Sequence, residues 1–284
     1  METFTLERDP EIRQLMRQCG TQAEILAKQQ YVVEKKGPED YVTSVDRELD
    51  RRLTQGFARL FPCDGIITEE NQPSRRAFRA GYRRLWCIDP LDGTDGFIKR
   101  KPHYAVMIGL LCDFQPVAGW IYAPALKQMY YGGKGWGLFQ AIGEAEVEPL
   151  QPVEAPAPTD SFCPIIIGDK DERNFGEAIA ELVPGATFSS LGSFGLKVME
   201  VICGRAGLYL YLNGRVKLWD TTGPIALAQA AGLVCCDLEG EPLSFHPSAI
   251  APDTLIHHQP ILIGWPRYVE ALRSRIREAA IGNR

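Results

Sequence analysis

Apolar residues at Ile12, Leu15, Met16, Cys19, Ala23, Leu26 and Ala27 recur every three or four positions over residues 10–30, the spacing of one buried face of an amphipathic helix. A loop is expected over EKKGPED. Ser44 and Asp46 then offer capping side chains for a second helix with Leu49, Leu53, Phe57 and Leu60 on one stripe, stopping before Pro62. GIITEE and RRLWCID read as short strands, each running into acidic residues. From Tyr104 to Pro124 two β-rich runs, YAVMIGLLC and VAGWIYAP, flank DFQP. KQMYYGG then leads to the Gly-rich turn GGKGWGLF, so an antiparallel meander is predicted.

The Pro-rich stretch EPLQPVEAPAPTD at 148–160 marks the expected boundary between an N-terminal α+β part, 1–150, and a C-terminal α/β part, 151–284. Beyond it strands and helices alternate: strand PIIIGD, helix ERNFGEAIAELV, a helix around LGSFGLKVMEVICG, strand AGLYLYL, helix TTGPIALAQAAG, and strands LVCCD and PILIGW. A closing helix spans 265–281. Layers of helices on sheets follow from this alternation.

Charge and composition narrow the function classes. The 284 residues carry 31 Lys plus Arg against 36 Asp plus Glu, a net charge of −5, which disfavours a nucleic-acid-coating role. The basic run RRAFRAGYRR at 75–84 is short and reads as a solvated face or an anion-facing rim. No apolar stretch approaches the roughly 20 residues of a membrane helix. The charged N-terminus lacks the apolar region of a secretory signal, so a cytoplasmic location is expected. Eight cysteines show no C-x-x-C spacing and four histidines no helical ligand spacing. Any metal must therefore be held by carboxylates.

Those carboxylates are concentrated in Trp86-Cys87-Ile88-Asp89-Pro90-Leu91-Asp92-Gly93-Thr94-Asp95-Gly96-Phe97. Asp89 and Asp92 flank Pro90 and the Leu91 carbonyl, a set of oxygen donors that can face one centre. Gly93 and Thr94 offer backbone N–H groups where a short helix could begin, a setting for an anion. An anion beside two aspartates makes electrostatic sense with a hard cation such as Mg²⁺ between them. Either dipeptide alone, D-P or D-G, reads equally as a turn.

Together these residues resemble the inositol monophosphatase family, whose first signature, D-P-[IVL]-D-G-T followed two residues later by F, is matched by DPLDGTDGF. DYVTSVD, ending at Asp46, is similar to the family's D-x-V-T-x-x-D segment. ITEE, with Glu69 and Glu70, is similar to its G-E-E segment. Trp219-Asp220 in LWDTTGPIALAQAAG resembles the second signature, although Thr221, Thr222 and Gly223-Pro224 stand where small alanines are commoner. The resemblance covers nearly the whole chain. It implies an α/β fold of alternating helix and sheet layers, an αβαβα sandwich like that of inositol monophosphatase and fructose bisphosphatase.

It also implies a Mg²⁺-dependent phosphomonoesterase acting on a small phosphorylated metabolite with two or three ions. Glu69, Asp89 and the Leu91 carbonyl would hold one Mg²⁺, and Asp89, Asp92 and Asp220 a second. Asp46 and Thr94 would activate the attacking water, with Glu69 near a third ion, while the N–H groups of Gly93 and Thr94 cradle the phosphate. Read without the resemblance, Asp46 is equally a helix cap. The segment Lys35–Glu39 resembles the family's lysine-bearing loop, a candidate lid over the substrate, and is equally a solvated connection. Relatives commonly form homodimers, and millimolar Li⁺ is expected to compete with Mg²⁺.

The substrate is left to local sequence. Where inositol-selective members place a glutamate, seven residues before Asp220, this chain has Asn213. GSFGLKVMEVICGRAGLYLYL and GFIKR are similar to segments of the 3′(2′),5′-bisphosphate nucleotidases, with Lys197 in the place of their lysine, where a cation could meet a second phosphate. Lys197 could also be a surface lysine. The favoured expectation is a nucleotidase converting 3′-phosphoadenosine 5′-phosphate to AMP. The alternatives are an inositol-1-phosphate or broad sugar phosphatase and a phosphate-binding protein without turnover.

Overall fold

The computed structural model describes residues 7–37, 40–143 and 145–282. Its contacts divide the chain into two units: one runs up to Leu150 and takes in Gly192–Leu196 and Leu218–Leu227, and the other comprises Gln151–Leu191, Lys197–Lys217 and the chain from Ala228. Asp220, expected with the second half, groups with the first unit.

In the first unit helix α1 (Asp9–Ala27) begins with Pro10 in its first turn, where a missing N–H costs nothing. Its Asp9 accepts hydrogen bonds from Trp120 Nε1 (2.9 Å) and Arg13 Nε (2.8 Å), tying the helix start to the sheet beneath. The expected loop after it is instead an antiparallel hairpin, β1 (Val33–Gly37) and β2 (Asp40–Thr43). Helix α2 (Ser44–Leu60) follows, and its cap differs from expectation. Thr43 is the N-cap, receiving Val45 N at 3.1 Å, while Asp46 sits three residues on and accepts Thr43 N at 2.8 Å. This reciprocal capping box leaves Ser44 to receive Val32 N instead.

Strands β3 (Gly65–Thr68), β4 (Arg84–Asp92), β5 (Ala105–Cys112), β6 (Gln115–Ala123), β7 (Gln128–Gly133), β8 (Gly137–Ile142) and β9 (Glu148–Pro149) form one sheet in chain order among the described residues. β5 to β9 make the expected antiparallel meander, whereas β3 and β4 are parallel. Ile12, Met16, Leu49, Leu53 and Phe57 bury their stripes against Trp86 and Trp120 in a single core, with the Phe57 ring edge-on to Trp86 at 4.9 Å.

In the second unit β10 (Cys163–Ile167), β11 (Ala186–Ser189), β12 (Leu208–Tyr211), β13 (Val234–Cys236) and β14 (Ile261–Gly264) are ordered β11-β10-β12-β14-β13. The β10–β11 and β10–β12 pairs are parallel and the others antiparallel. Helices α4 (Asp169–Leu182) and α7 (Pro266–Gly282) pack on each other. The α/β layering expected from the alternating pattern is present in both units. All eight cysteines are free thiols, with Cys63 exposed. No helix among the described residues is long and apolar enough to cross a membrane.

Candidate functional site

Strand β4 runs through Asp89 to Asp92, but its pairing with β5 shifts between them: Asp89 is opposite Met107 and Asp92 opposite Ala105. In a regular strand, residues three apart face opposite sides of the sheet. The irregularity at Pro90-Leu91 changes that, so both carboxylates line one cavity. Leu91 N donates to Asp89 Oδ1 at 2.9 Å and fixes that carboxylate. Gly93 follows with φ of +91°, where a Cβ would also lie 3.0 Å from His103 O. Only glycine suits that turn. It caps the five-residue helix α3 (Thr94–Ile98), the short helix foreseen there.

Parallel pairing brings in the next carboxylate. Thr68 is opposite Ile88, and Glu69 N donates to Ile88 O at 3.1 Å, so Glu69 leaves β3 beside Asp89. The third comes from helix α6 (Leu218–Ala230), in whose first turn Asp220 lies. Of the departures from small alanines, Gly223 has a packing reason. A Cβ on Gly109 would lie 2.3 Å from Gly223 N, and one on Gly119 2.2 Å from Gly223 O. Helix and sheet meet backbone to backbone at these glycines, which brings Asp220 close to β4.

Carboxylate oxygens of Glu69, Asp89 and Asp220 all lie within 4.8 Å of one another. They line a cavity of about 210 Å³ with Leu91, Asp92 and Thr94. Asp92 Oδ2 is held by Ser193 Oγ (2.5 Å) and Gly195 N (3.3 Å), at the start of helix α5 (Phe194–Ile202). Sequence reasoning missed Ser193, although GSFG could have suggested a turn carrying a free hydroxyl.

Asp46, on the first turn of α2, receives hydrogen bonds from Thr43 N, the Thr43 hydroxyl and Thr94 Oγ1, the last at 2.9 Å. The same carboxylate thus completes the capping box three residues after the Thr43 N-cap and accepts the Thr94 hydroxyl. Thr94 Oγ1 is also 3.0 Å from Leu91 O, which shares its proton. Burial raises the Asp46 pKa, partly offset by these bonds.

Burial likewise pushes the Asp89 carboxyl well above the usual range, reinforced by Glu69, Asp92 and Asp220. Glu70 rises to about 7 through burial and the neighbouring Glu69. Lys36, on β1, supplies positive charge by contacting Glu69 Oε1 at 3.1 Å and Glu70 Oε1 at 2.6 Å. The Lys35–Glu39 segment is therefore largely a hairpin anchored on the acidic arm, with Pro38 and Glu39 outside the described residues. Crowded, solvent-shielded carboxylates with hard oxygen donors suit a divalent cation, and soft or imidazole ligands are absent from this cluster.

The two substrate candidates lie in the second unit, where Lys197 is buried and Asn213 half-buried. Lys197 is 7 % exposed, its Nζ 5.7 Å from the Tyr209 ring centroid, which excludes the surface-lysine reading. Both it and Asn213 act on Asp171. That wholly buried carboxyl has its pKa raised by desolvation, and hydrogen bonds from Leu212 N and the Asn213 side chain, together with the Lys197 charge, oppose the rise.

The family model for the inositol monophosphatase family matches residues 11–278. The 3′(2′),5′-bisphosphate nucleotidase CysQ of Salmonella typhimurium is 34 % identical over 219 residues, covering 75 % of this chain and 82 % of that protein. A Thermotoga maritima IMPase superposes with a TM-score of 0.78 at 22 % identity, over 98 % of this chain and 100 % of its own. An IMPase/NADP phosphatase complexed with Mg²⁺ and phosphate gives 0.77 at 20 % identity, over 96 % of each chain. These likenesses establish the layered α/β fold, and with the family model matching almost end to end, the chain belongs to the inositol monophosphatase family and is a phosphatase of that superfamily.

Proposed function

We propose that the protein is a Mg²⁺-dependent phosphomonoesterase whose preferred substrate is a 3′(2′),5′-bisphosphate nucleotide, releasing the 3′-phosphate of 3′-phosphoadenosine 5′-phosphate to leave AMP. The observation that carries this reading is the convergence of Glu69, Asp89 and Asp220 beside the hydrogen-bonded Asp46–Thr94 pair. Glu69, Asp89, the Leu91 carbonyl, Asp92 and Asp220 would hold Mg²⁺, with Asp89 shared between two ions. When bound, Mg²⁺ neutralises these carboxylates and the phosphate and lowers the pKa of coordinated water.

The protein's own groups manage the proton and the orientation. Thr94 Oγ1 accepts a proton from the attacking water while its own hydrogen passes to Asp46. The water oxygen forms the new bond to phosphorus as the ester P–O bond breaks; the ribose oxygen leaves as an alkoxide that takes a proton from solvent water, and Asp46 returns the proton it accepted to the solvent hydroxide so formed. Gly93 and Thr94 N–H groups orient the phosphate. Burial of Asp46 raises its proton affinity, which favours acceptance.

Nucleotide preference is supported by the likeness to the Salmonella typhimurium nucleotidase, by Asn213 in place of glutamate, and by the match of the segment holding Lys197 to nucleotidase sequence. The likeness to an IMPase favours inositol 1-phosphate as the second reading. Phosphate release from both esters, with and without Mg²⁺, is the test. A kcat/KM at least tenfold higher for the nucleotide is expected. Inositol preference would replace the substrate assignment, and no Mg²⁺-dependent release from either would favour a third ester or a binding protein.

A further inference from the structure

We propose that Arg75 is a positioning residue that braces the Glu69 arm of the acidic centre against the turn carrying Asp220. The proposal rests on the reading of that centre as a Mg²⁺ site. Sequence patterning assigned RRAFRAGYRR to a solvated or anion-facing rim, but the structure gives its first arginine an internal task. Directly after the acidic pair, the chain folds into a 3₁₀ helix, Gln72–Arg79. Ser74 Oγ accepts Thr68 N at 3.1 Å and donates to Asn71 O at 2.6 Å, so the helix is fastened to the residue preceding Glu69. Phe78 is buried and meets the Phe114 ring edge-on at 5.7 Å, which fastens its other end.

Between these anchors the Arg75 guanidinium carbon lies 5.2 Å from the centroid of the Trp219 ring. Trp219 is wholly buried and immediately precedes Asp220. The Arg75 Nε and Trp219 Nε1 atoms are both shielded from solvent, so the contact lies in a partly desolvated setting, where a cation over an indole face is strongest. A planar guanidinium, charged at all accessible pH, can cover the ring in a way that a lysine ammonium does not. Two ligand-bearing segments about 150 residues apart in sequence are thereby linked outside the ligand set itself.

The test reads cation binding apart from turnover. Mg²⁺-induced stabilisation is titrated by thermal unfolding of the full chain for wild type, Arg75→Ala, Arg75→Lys and the exposed neighbour Arg76→Ala, with far-UV circular dichroism as a fold check. We expect the Mg²⁺ midpoint to rise about tenfold in Arg75→Ala, the size of a partly desolvated cation–π contact, with a smaller rise in Arg75→Lys and none in Arg76→Ala. At saturating Mg²⁺ the KM for 3′-phosphoadenosine 5′-phosphate should stay within twofold. An unchanged midpoint in folded Arg75→Ala overturns the proposal, as does a raised KM with an unchanged midpoint, which would make Arg75 a substrate contact. If Arg75→Ala does not fold, Arg75→Lys is held to the same criteria. A wild type without any Mg²⁺ response removes the reading of the centre, and the proposal with it.

Discussion

Thr94 Oγ1 lies 2.9 Å from Asp46 Oδ1, joining the first turn of α2 to the start of α3 across 48 residues of sequence. In the proposed mechanism this hydroxyl accepts from water and donates to the carboxylate. Thr94→Ala should lower kcat by about 10²–10³ with the Mg²⁺ midpoint little changed, and Thr94→Ser should restore most of the loss. Steady-state kinetics beside Mg²⁺ titration will separate the two effects, and equal loss of metal response would move Thr94 into the ligand set.

Asp89 is the most buried of the clustered carboxylates and is the one proposed to serve both ions. Asp89→Asn keeps its shape but removes a negative charge from both sites. Turnover is expected to fall by at least about 10³, with loss of the Mg²⁺-induced rise in Tm. Near-normal turnover would refute the assignment of Asp89 as a ligand.

Lys36 neutralises Glu69 and Glu70 through contacts of 3.1 and 2.6 Å. With Gln at this position the carboxylates repel one another without a counter-charge until a cation arrives. Lys36→Gln should therefore have a lower Tm without metal and a larger Mg²⁺-induced increase than wild type. Differential scanning calorimetry at two Mg²⁺ concentrations measures both.

Gly223 sits where a Cβ would come within 2.5 Å of the backbone oxygen of Ile108. A backbone atom cannot yield as a side-chain tip can, so Gly223→Ala should push the start of α6 off the sheet. A loss of about 1–3 kcal/mol in stability is expected, together with weakened Mg²⁺ response as Asp220 retreats. Denaturant unfolding gives the first quantity, and an unchanged midpoint would show that the close approach is dispensable.

His257 in the second unit is 1 % exposed, its ring edge-on to Phe245 at 5.0 Å, and burial lowers its pKa to about 3. The native state therefore keeps a neutral imidazole, whereas the unfolded chain binds a proton near pH 6.5. Stability from this group is complete above that pH and is lost progressively as pH falls towards 3. At pH 5 the loss is about 2 kcal/mol. Thermal unfolding from pH 7.5 to 5 should show a shallower decline in His257→Phe, and parallel curves would place the acid sensitivity elsewhere.

The helices, the meander and the carboxylate-rich turn were legible in the sequence because each depends on neighbours a few residues apart. Helical spacing from Ile12 to Ala27 anticipated α1, and the strand running into Asp89 and Asp92 marked the centre before any coordinates. Asp46 stood out as a capping side chain, but the N-cap is Thr43, and Asp46 enters the capping box three residues on. The hairpin holding Lys36 was not legible, since EKKGPED carries charge and turn residues without the alternation that announces a strand.

Distance in sequence set the limit. Parallel pairing of β3 with β4 brought Glu69 to Asp89, and the glycine contacts of Gly109, Gly119 and Gly223 brought Asp220 to both. No local pattern encodes which strand lies beside which helix. Ser193 against Asp92 and Arg75 over Trp219 likewise join segments more than 100 residues apart. Sequence alone determined which oxygens and hydroxyls were available and which short turns would carry them. Their convergence, and the burial that shifts their proton affinities, was decided by packing, because both depend on long-range contacts and on exclusion of water.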